Sequence, residues 1–165
     1  MTGMDDRPPA QCIKIVHAEA GQALREARDL ILEYGSSLGF NLDFQCFDKE
    51  IEALPGEYAP PSGCLLIARV AGSTAGCVAV RKLDGEVCEM KRMYVRPAFR
   101  GQGVGRALAL EALKDARGRG YRIMRLDTLT FMGPARRLYE SLGFREIDAY
   151  RFNPLPGATY MECGL

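Results

Sequence analysis

The stretch RGQGVG, residues Arg100–Gly105, lies where a strand-like segment gives way to a helix. Upstream, Glu86–Val95 is predicted to be a strand that is closed by an Arg-Pro pair. Downstream, apolar residues recur at helical spacing from Val104 onward. Glycines at such a junction let a ligand approach the backbone closely, and the free N–H groups of the first helical turn bind anions. The sequence therefore predicts a phosphate or pyrophosphate site here.

Three phosphate-binding patterns can be compared with this stretch. A P-loop requires a Lys followed by Ser or Thr, and none stands here. The dinucleotide fingerprint requires G-x-G-x-x-G, whereas Gly101, Gly103 and Gly105 alternate and residue 106 is Arg. The pattern R/Q-x-x-G-x-G/A matches throughout, with Arg100, Gly103 and Gly105 at its fixed positions. This pattern is typical of the pyrophosphate loop of GNAT acetyltransferases, although a glycine-rich turn without a ligand is the alternative interpretation.

A second motif strengthens the resemblance to this family. The segment Ala135–Phe144 reads ARRLYESLGF, which is similar to the family signature A-x-x-L-Y-x-x-x-G-F at every fixed position. The two motifs stand in the family's order and at its usual separation. From Cys64 to Leu165 the chain therefore resembles the GNAT superfamily, whereas Met1–Pro61 matches only in general plan. The resemblance implies acetyl-CoA as the co-substrate.

The length of 165 residues suggests one domain with a real core, which we place at residues 11–165 after a flexible tail of residues 1–10. Hydrophobic periodicity and turn residues predict a mixed α/β (α+β) fold. Its central sheet is expected to be mostly antiparallel and flanked by helices, with one parallel step around Gly103. In GNAT proteins the strands that correspond to Glu86–Val95 and Arg122–Asp127 splay apart, and pantetheine enters the gap.

The predicted elements are the strands 13–16, 64–70, 74–83, 86–95, 122–127, 144–150 and 159–163, and the helices 24–38, 48–54, 104–117 and 134–142.

Composition excludes several classes of partner. The formal net charge is +1, from 22 Lys and Arg against 21 Asp and Glu, so no field for nucleic acid or an acidic membrane is indicated. No apolar run approaches the length of a membrane span, and the first residues lack the apolar stretch of a signal peptide. Six separated cysteines with one His match no pattern of metal ligands, so no metal site is expected. Reduced thiols in a cytoplasmic protein are the expectation.

Tyr139 is the candidate general acid. Acetyl transfer from a thioester requires that the departing thiolate be protonated, and a phenol, with a pKa near 10, can supply that proton. The L-Y pair of the second motif carries this acid in many GNAT enzymes, and Tyr139 occupies that position. The alternative is a core role, because Ala135, Leu138, Tyr139 and Leu142 form one apolar stripe on the predicted helix.

Glu89 is the candidate general base. It lies on the strand before the glycine loop, where the histone-acetylating branch of the superfamily places its glutamate. A base is needed because an amine attacks only after losing its proton. The alternatives are a charge-paired strand residue, with Lys91 and Arg92 as neighbours, or a reaction in which water or another carboxylate takes the proton.

For acetyl-CoA, the resemblance implies backbone contacts from the end of the strand to pantetheine and the oxyanion, and a cradle for the pyrophosphate. The predicted binding residues are Met93, Tyr94, Val95, Arg100, Gly101, Gln102, Gly103, Val104, Gly105 and Arg106. Met132 departs from the family pattern, because many members carry there an Asn that contacts the pantetheine arm.

The acceptor is expected to bind near residues 38–61, where Asn41, Phe44, Phe47 and Tyr58 offer aromatic and polar surface. Three basic residues, Arg81, Lys91 and Arg92, could hold the carboxylate of an amino-acid-like substrate or be solvated strand residues. No acidic run suits a Lys-rich protein tail, which favours a small-molecule primary amine.

The reaction predicted from these features is N-acetylation by direct attack. A protein or peptide N-acetyltransferase and a non-catalytic acyl-CoA-binding regulatory module are the alternatives, the second disfavoured by the presence of both Glu89 and Tyr139. The resemblance also admits a homodimer.

Overall fold

The computed structural model describes residues 12–39 and 46–165. These ranges contain seven strands. They also contain four α-helices, each of at least seven residues. The strands are β1 (Ile13–His17), β2 (Cys64–Val70), β3 (Ser73–Asp84), β4 (Val87–Val95), β5 (Ile123–Leu129), β6 (Arg145–Ile147) and β7 (Ala158–Gly164). The helices are α1 (Gly21–Ser37), α2 (Phe47–Ala53), α3 (Val104–Gly118) and α4 (Gly133–Ser141).

All seven strands form one sheet in the order β1-β2-β3-β4-β5-β7-β6. Every neighbouring pair is antiparallel except β4 and β5, which are parallel because α3 connects them as a crossover. The mixed, mostly antiparallel sheet flanked by helices is confirmed, as is the single parallel step.

Each face of the sheet carries its own apolar core. On one face, α3 contributes Leu108 and Leu113, and α4 contributes Tyr139. On the other face, Leu30 and Ile31 of α1 pack over the middle of β2 and β3. Covering both faces removes the strands from water, which accounts for the long apolar runs of β2 and β3.

Most predicted elements are confirmed to within two or three residues, and two differ. The last predicted strand before β7 was expected to continue to Tyr150, but β6 ends at Ile147. The chain leaves the sheet there because Tyr150 and Arg151 turn toward β4 and form buried polar contacts. In the second case, the helix predicted over 48–54 begins one residue earlier, at Phe47, and the residue before it has a left-handed backbone (φ 53°).

Four of the six cysteines, Cys64, Cys77, Cys88 and Cys163, are buried as free thiols, as their apolar neighbours predicted. Across the described ranges, no helix has the length and hydropathy that crossing a bilayer requires. The predicted tail of residues 1–10 and the predicted acceptor residues Asn41 and Phe44 lie outside the described residues.

Candidate active site

A cleft opens where β4 and β5 separate. The two strands pair only at Val87, Cys88 and Glu89, opposite residues 123–125, and then diverge. The cleft between their free ends is lined by Tyr34, Met90, Lys91, Arg92, Met93, Leu126, Asp127, Thr128, Met132, Ala135 and Tyr139. The splayed strands that the sequence resemblance implied are therefore present.

A bulge in β4 shapes one wall of this cleft. Lys91 is opposite Ala79 and Tyr94 is opposite Cys77, so two β4 residues stand against one residue of β3. The first of them, Arg92, has a left-handed backbone with φ 59°, which is unusual for a residue with a side chain. Beyond the bulge, Tyr94 and Val95 pair with β3 alone in the described structure, which leaves the opposite backbone edge of Met93–Val95 available to an extended ligand.

The glycine loop lies at the end of this open edge. Gly101 and Gly103 have φ 77° and 83°, and a Cβ built on either would meet no atom within 4 Å. Gly103 precedes the first residue of α3, and no side chain caps the helix. The first N–H groups of α3 therefore have no partner within the helix and can bind an anion.

Three further contacts hold the loop against its neighbours. Arg100 Nε donates to the Val95 carbonyl at 3.0 Å, which ties the loop to β4. Arg106 Nη1 donates to Ser141 Oγ at 3.0 Å, which ties α3 to the end of α4. A Cβ on Gly105 would lie 3.6 Å from Val95 Cγ2, an ordinary van der Waals distance, which shows how closely the start of α3 packs against β4. The predicted loop residues thus share one surface with Met93–Val95.

Tyr139 reaches the cleft from α4. Its ring is 6% exposed and packs against Phe144, with the ring centroids 5.7 Å apart. No described residue forms a hydrogen bond with its hydroxyl, and the side chain lines the cleft. Burial raises the pKa of this phenol, and the nearby Tyr34 and Asp127 raise it further. The hydroxyl is therefore a protonated donor with no protein acceptor in the described structure.

Tyr34 lines the same cleft from α1, on the opposite face of the sheet. Burial also raises the pKa of its phenol, against the opposing effect of Arg92. In the sequence Tyr34 lies within the predicted helix 24–38, and nothing local indicates that α1 crosses the end of the cleft.

Glu89 is completely buried in a polar cluster. Its Oε1 accepts hydrogen bonds from Arg81 Nε at 2.9 Å and Arg151 Nη1 at 3.2 Å. Its Oε2 accepts one from the Tyr150 hydroxyl at 2.6 Å. The Glu89 carboxylate does not line the cleft, although the side chain of Lys91, two residues further along β4, does. Glu89 is paired with basic side chains, as the alternative prediction had it, but these belong to Arg81 and Arg151 rather than to Lys91 or Arg92.

The segment between β6 and β7 closes this side of the sheet. Arg151 Nη2 donates to Asp127 at 2.7 Å, and Asn153 donates to the same carboxylate at 3.0 Å. The Tyr160 hydroxyl holds the Arg151 carbonyl at 2.7 Å. Asp127 lines the cleft, so this segment fixes a cleft carboxylate that sequence analysis missed. The only sign of this segment in the sequence was its Asn-Pro and Pro-Gly turns.

A second cavity adjoins the cleft beneath α2. Lys91 lines both cavities, and Arg81 and Tyr58 line the second one. The Tyr58 hydroxyl donates to Glu50 at 2.5 Å, and Arg92 binds the same carboxylate through two nitrogens at 2.8 and 3.2 Å. The other lining residues are Cys46, Lys49, Glu50, Ala53, Pro55, Gly56 and Glu57. This cavity lies in the region where the acceptor was predicted to bind.

Arg92 also stacks on aromatic rings, with its guanidinium carbon 5.2 Å from the Phe47 centroid and 6.0 Å from that of Tyr34. Its side chain is 2% exposed. The interpretation of Arg92 as a solvated strand residue is therefore wrong.

Met132 stands at the entrance of α4, where its sulfur accepts a weak contact from the Thr128 hydroxyl at 3.9 Å. No group of three or more His, Cys, Asp or Glu within residues 12–39 and 46–165 is arranged to hold a metal ion.

The comparisons with known proteins agree with this geometry. The family model described as "Acetyltransferase (GNAT) family" matches residues 25–144. An uncharacterized N-acetyltransferase of Schizosaccharomyces pombe is 42% identical over 91% of this chain and 93% of its own length. The chain therefore belongs to the GNAT acetyltransferase family, and it is an acetyl-CoA-dependent acyltransferase.

Two further relatives bear on the fold and on the substrate. The N-acetylaspartate synthetase of Rattus norvegicus is 38% identical over 61% of this chain, which corresponds to 34% of that protein. The PaiA N-acetyltransferase of Thermoplasma acidophilum, solved in complex with coenzyme A, covers 93% of this chain and 99% of its own, with a TM-score of 0.71. Its identity of 16% shows the fold alone.

Proposed function

We propose that this protein transfers the acetyl group of acetyl-CoA to the primary amine of a small molecule, by direct attack and without a covalent enzyme intermediate. The observation that carries the proposal is the cleft between the diverging β4 and β5. It combines an open backbone edge, an uncapped helix start and a buried phenol at one place.

The fit of acetyl-CoA rests on two of these features. An extended pantetheine arm can hydrogen-bond along Met93–Val95, and a pyrophosphate can accept N–H groups from the glycine loop and the first turn of α3. The open space at Gly101 and Gly103 admits a phosphate against the backbone. In this arrangement Arg100 and Arg106 add positive charge beside the pyrophosphate.

Tyr139 is the proposed general acid. Its hydroxyl is protonated at every physiological pH and has no described protein partner, so it can give its proton to the departing thiolate. As the C–S bond breaks, the sulfur gains the negative charge that accepts first this hydrogen bond and then the proton. Because a thiol, with a usual pKa near 8.5, is a stronger acid than the phenol, release of the thiol and reprotonation of the phenolate complete the transfer. The proton is then returned to the phenol from solvent.

Glu89 is the proposed base, acting through a relay because its carboxylate is shielded from the cleft. Oε2 accepts a single hydrogen bond, from Tyr150, and a carboxylate oxygen has room for a second. A water or the Tyr150 hydroxyl can pass the amine proton to it. In the competing route, water accepts the amine proton without any role for Glu89. The activity of Glu89→Gln distinguishes the two routes.

The acceptor side supports a small molecule over a protein tail. The second cavity lies beneath α2 and beside Glu89, and the segment of residues 148–157 covers the neighbouring ion pairs. N-acetylaspartate synthetase, by its name, forms an N-acetylated amino acid, which favours an acceptor of that size for the shared region.

A screen of primary amines tests the proposal. Purified protein is incubated with acetyl-CoA and single amines or short peptides, and free thiol is measured with time. Steady thiol release with a small amine, together with its N-acetylated product by mass spectrometry, is expected. Release with peptides alone would support a peptide acetyltransferase, and coenzyme binding without any release would support a binding module.

A further inference from the structure

Lys91 is a buried ammonium group for which the described part of the chain provides no partner. It lies on β4, next to the bulge, and is 8% exposed. Among residues 12–39 and 46–165, no side chain pairs with it by an ion pair or a hydrogen bond. Burying an uncompensated charge is costly, and proteins rarely keep one where it has no role.

The three neighbouring arginines are all compensated. Arg81 is held by Glu57 at 2.7 Å and by Glu89 at 2.9 Å. Arg92 is held by Glu50, and Arg151 is shared between Glu89 and Asp127. The carboxylates of the cluster are therefore already used, and Lys91 contributes a positive charge in excess.

The position of Lys91 gives this charge a target. Its side chain lines both the cleft between β4 and β5 and the cavity beneath α2. An acceptor amine that reaches the cleft from the second cavity must pass along it. Burial, together with the approach of Arg92 and Arg81, lowers the pKa of Lys91 to about 8, against the opposing effect of Glu89. The group is still mostly charged at pH 7.

We propose that Lys91 is a specificity-determining residue that binds a carboxylate of the acceptor, so that the substrates are amines that also carry a carboxylate, such as amino acids. This inference rests on the proposed function, because it assigns the substrate class to that same site. A bound carboxylate supplies the negative charge that no described side chain provides to Lys91. An ammonium, as a compact point charge, holds one oxygen without requiring the planar two-point geometry of a guanidinium.

Carboxylate binding can be measured without turnover. Protein loaded with CoA is titrated with succinate and with succinamide, which differ in charge but little in shape, and binding is followed by ligand-observed NMR. We expect the acid to bind at least tenfold more tightly than the amide. In Lys91→Met the acid should lose that preference, while Lys82→Met, at an exposed lysine of β3, should retain it.

The fold of the Lys91→Met variant is checked in the same samples. Because the substitution removes a buried uncompensated charge, its melting temperature should be equal to or above that of the wild type. A folded variant that keeps the acid preference, or a wild type that binds acid and amide equally, would overturn the inference.

The two proposals fail separately. Thiol release with amines that lack a carboxylate, at the same kcat/KM as for their carboxylated counterparts, would contradict the role of Lys91 and leave acetyl transfer intact. Tight, Lys91-dependent succinate binding without thiol release from any amine would contradict acetyl transfer and support the carboxylate site. The Lys91→Met variant should raise KM for amino acids far more than it lowers kcat.

Discussion

The two sides of the cleft are built in different ways. The glycine-loop side consists of the end of β4, the loop, α3 and α4, which are carried by two short motifs with β5 between them. The ion-pair side consists of Glu89, Arg81, Arg151 and their partners, and one of its central contacts joins residues 62 positions apart. A short motif can encode the first arrangement, whereas only a folded sheet can assemble the second. Substitutions on the two sides should therefore have different consequences.

The largest effect is expected on the glycine-loop side, from Tyr139→Phe. The ring packing against Phe144 is kept while the hydroxyl is lost, so the variant should fold normally. If Tyr139 protonates the thiolate, the single-turnover rate should fall by roughly 10²–10⁴-fold, the usual contribution of a general acid. Coenzyme affinity should change little.

A matched control is Tyr121→Phe, which likewise deletes a phenol hydroxyl; that of Tyr121 donates to the Ser62 carbonyl, away from the cleft. That variant should retain the wild-type rate. An unchanged rate in Tyr139→Phe would assign Tyr139 to the core alone.

Glu89→Gln probes the ion-pair side. It conserves shape but removes the proton acceptor, so kcat/KM should fall by about 10²-fold at pH 7 and recover partly as the pH rises and more of the amine is neutral. The measurement is the pH profile of kcat/KM for both proteins with one confirmed acceptor, at a temperature where the variant is folded.

Tyr150→Phe is the companion variant, because it deletes the donor to Oε2 and leaves the carboxylate paired with both guanidinium groups. A loss in this variant as well would indicate that the proton travels through the Tyr150 hydroxyl. Profiles of Glu89→Gln and wild type that superimpose would make Glu89 structural.

Gly103→Val tests whether the loop dominates coenzyme affinity. The added side chain would meet no protein atom, but it would fill the space beside the helix start and strain a backbone with φ 83°. Calorimetry should show that the affinity for acetyl-CoA falls by about tenfold or more, which corresponds to a loss of about 1.4 kcal/mol or more in binding free energy.

Gly72→Val separates the two causes, because Gly72 has the same backbone conformation (φ 82°) and equally open surroundings in the β2–β3 hairpin. It should lose stability like Gly103→Val and keep the affinity for acetyl-CoA. If both folded variants bound acetyl-CoA with equal affinity, the result would contradict coenzyme binding at this loop.

The smallest effect concerns the stability contribution of Lys91. Its pKa is lowered from 10.5 to about 8 in the folded protein, so between those values the unfolded chain binds more protons than the folded one. Stability in that window therefore rises with pH relative to Lys91→Met. The melting temperature of the variant should exceed that of the wild type by most at pH 7, and the difference should shrink toward pH 10. A difference independent of pH would contradict the burial of the charge.

The sequence by itself determined the family, most element boundaries and the glycine-loop side of the cleft. Its glycines, its Arg-Pro turn and the ARRLYESLGF helix act through neighbours only a few residues away. Backbone conformations and helix starts are local properties, so a motif carries them. The pattern of β2, which matches its predicted bounds, is likewise local because burial on both faces appears as the apolar run Cys64–Ala68.

The tertiary structure alone decided which charges meet. Nothing in the sequence around Tyr150 and Arg151 indicates that they leave the predicted strand, because what draws them away is a carboxylate on β4, 61 and 62 residues earlier. The same holds for Tyr34, which the sequence shows only as part of a predicted helix. It holds also for Lys91, because only the folded structure shows that the described carboxylates near it are already paired. Pairing depends on distances across the sheet, and those distances exist only once it has formed.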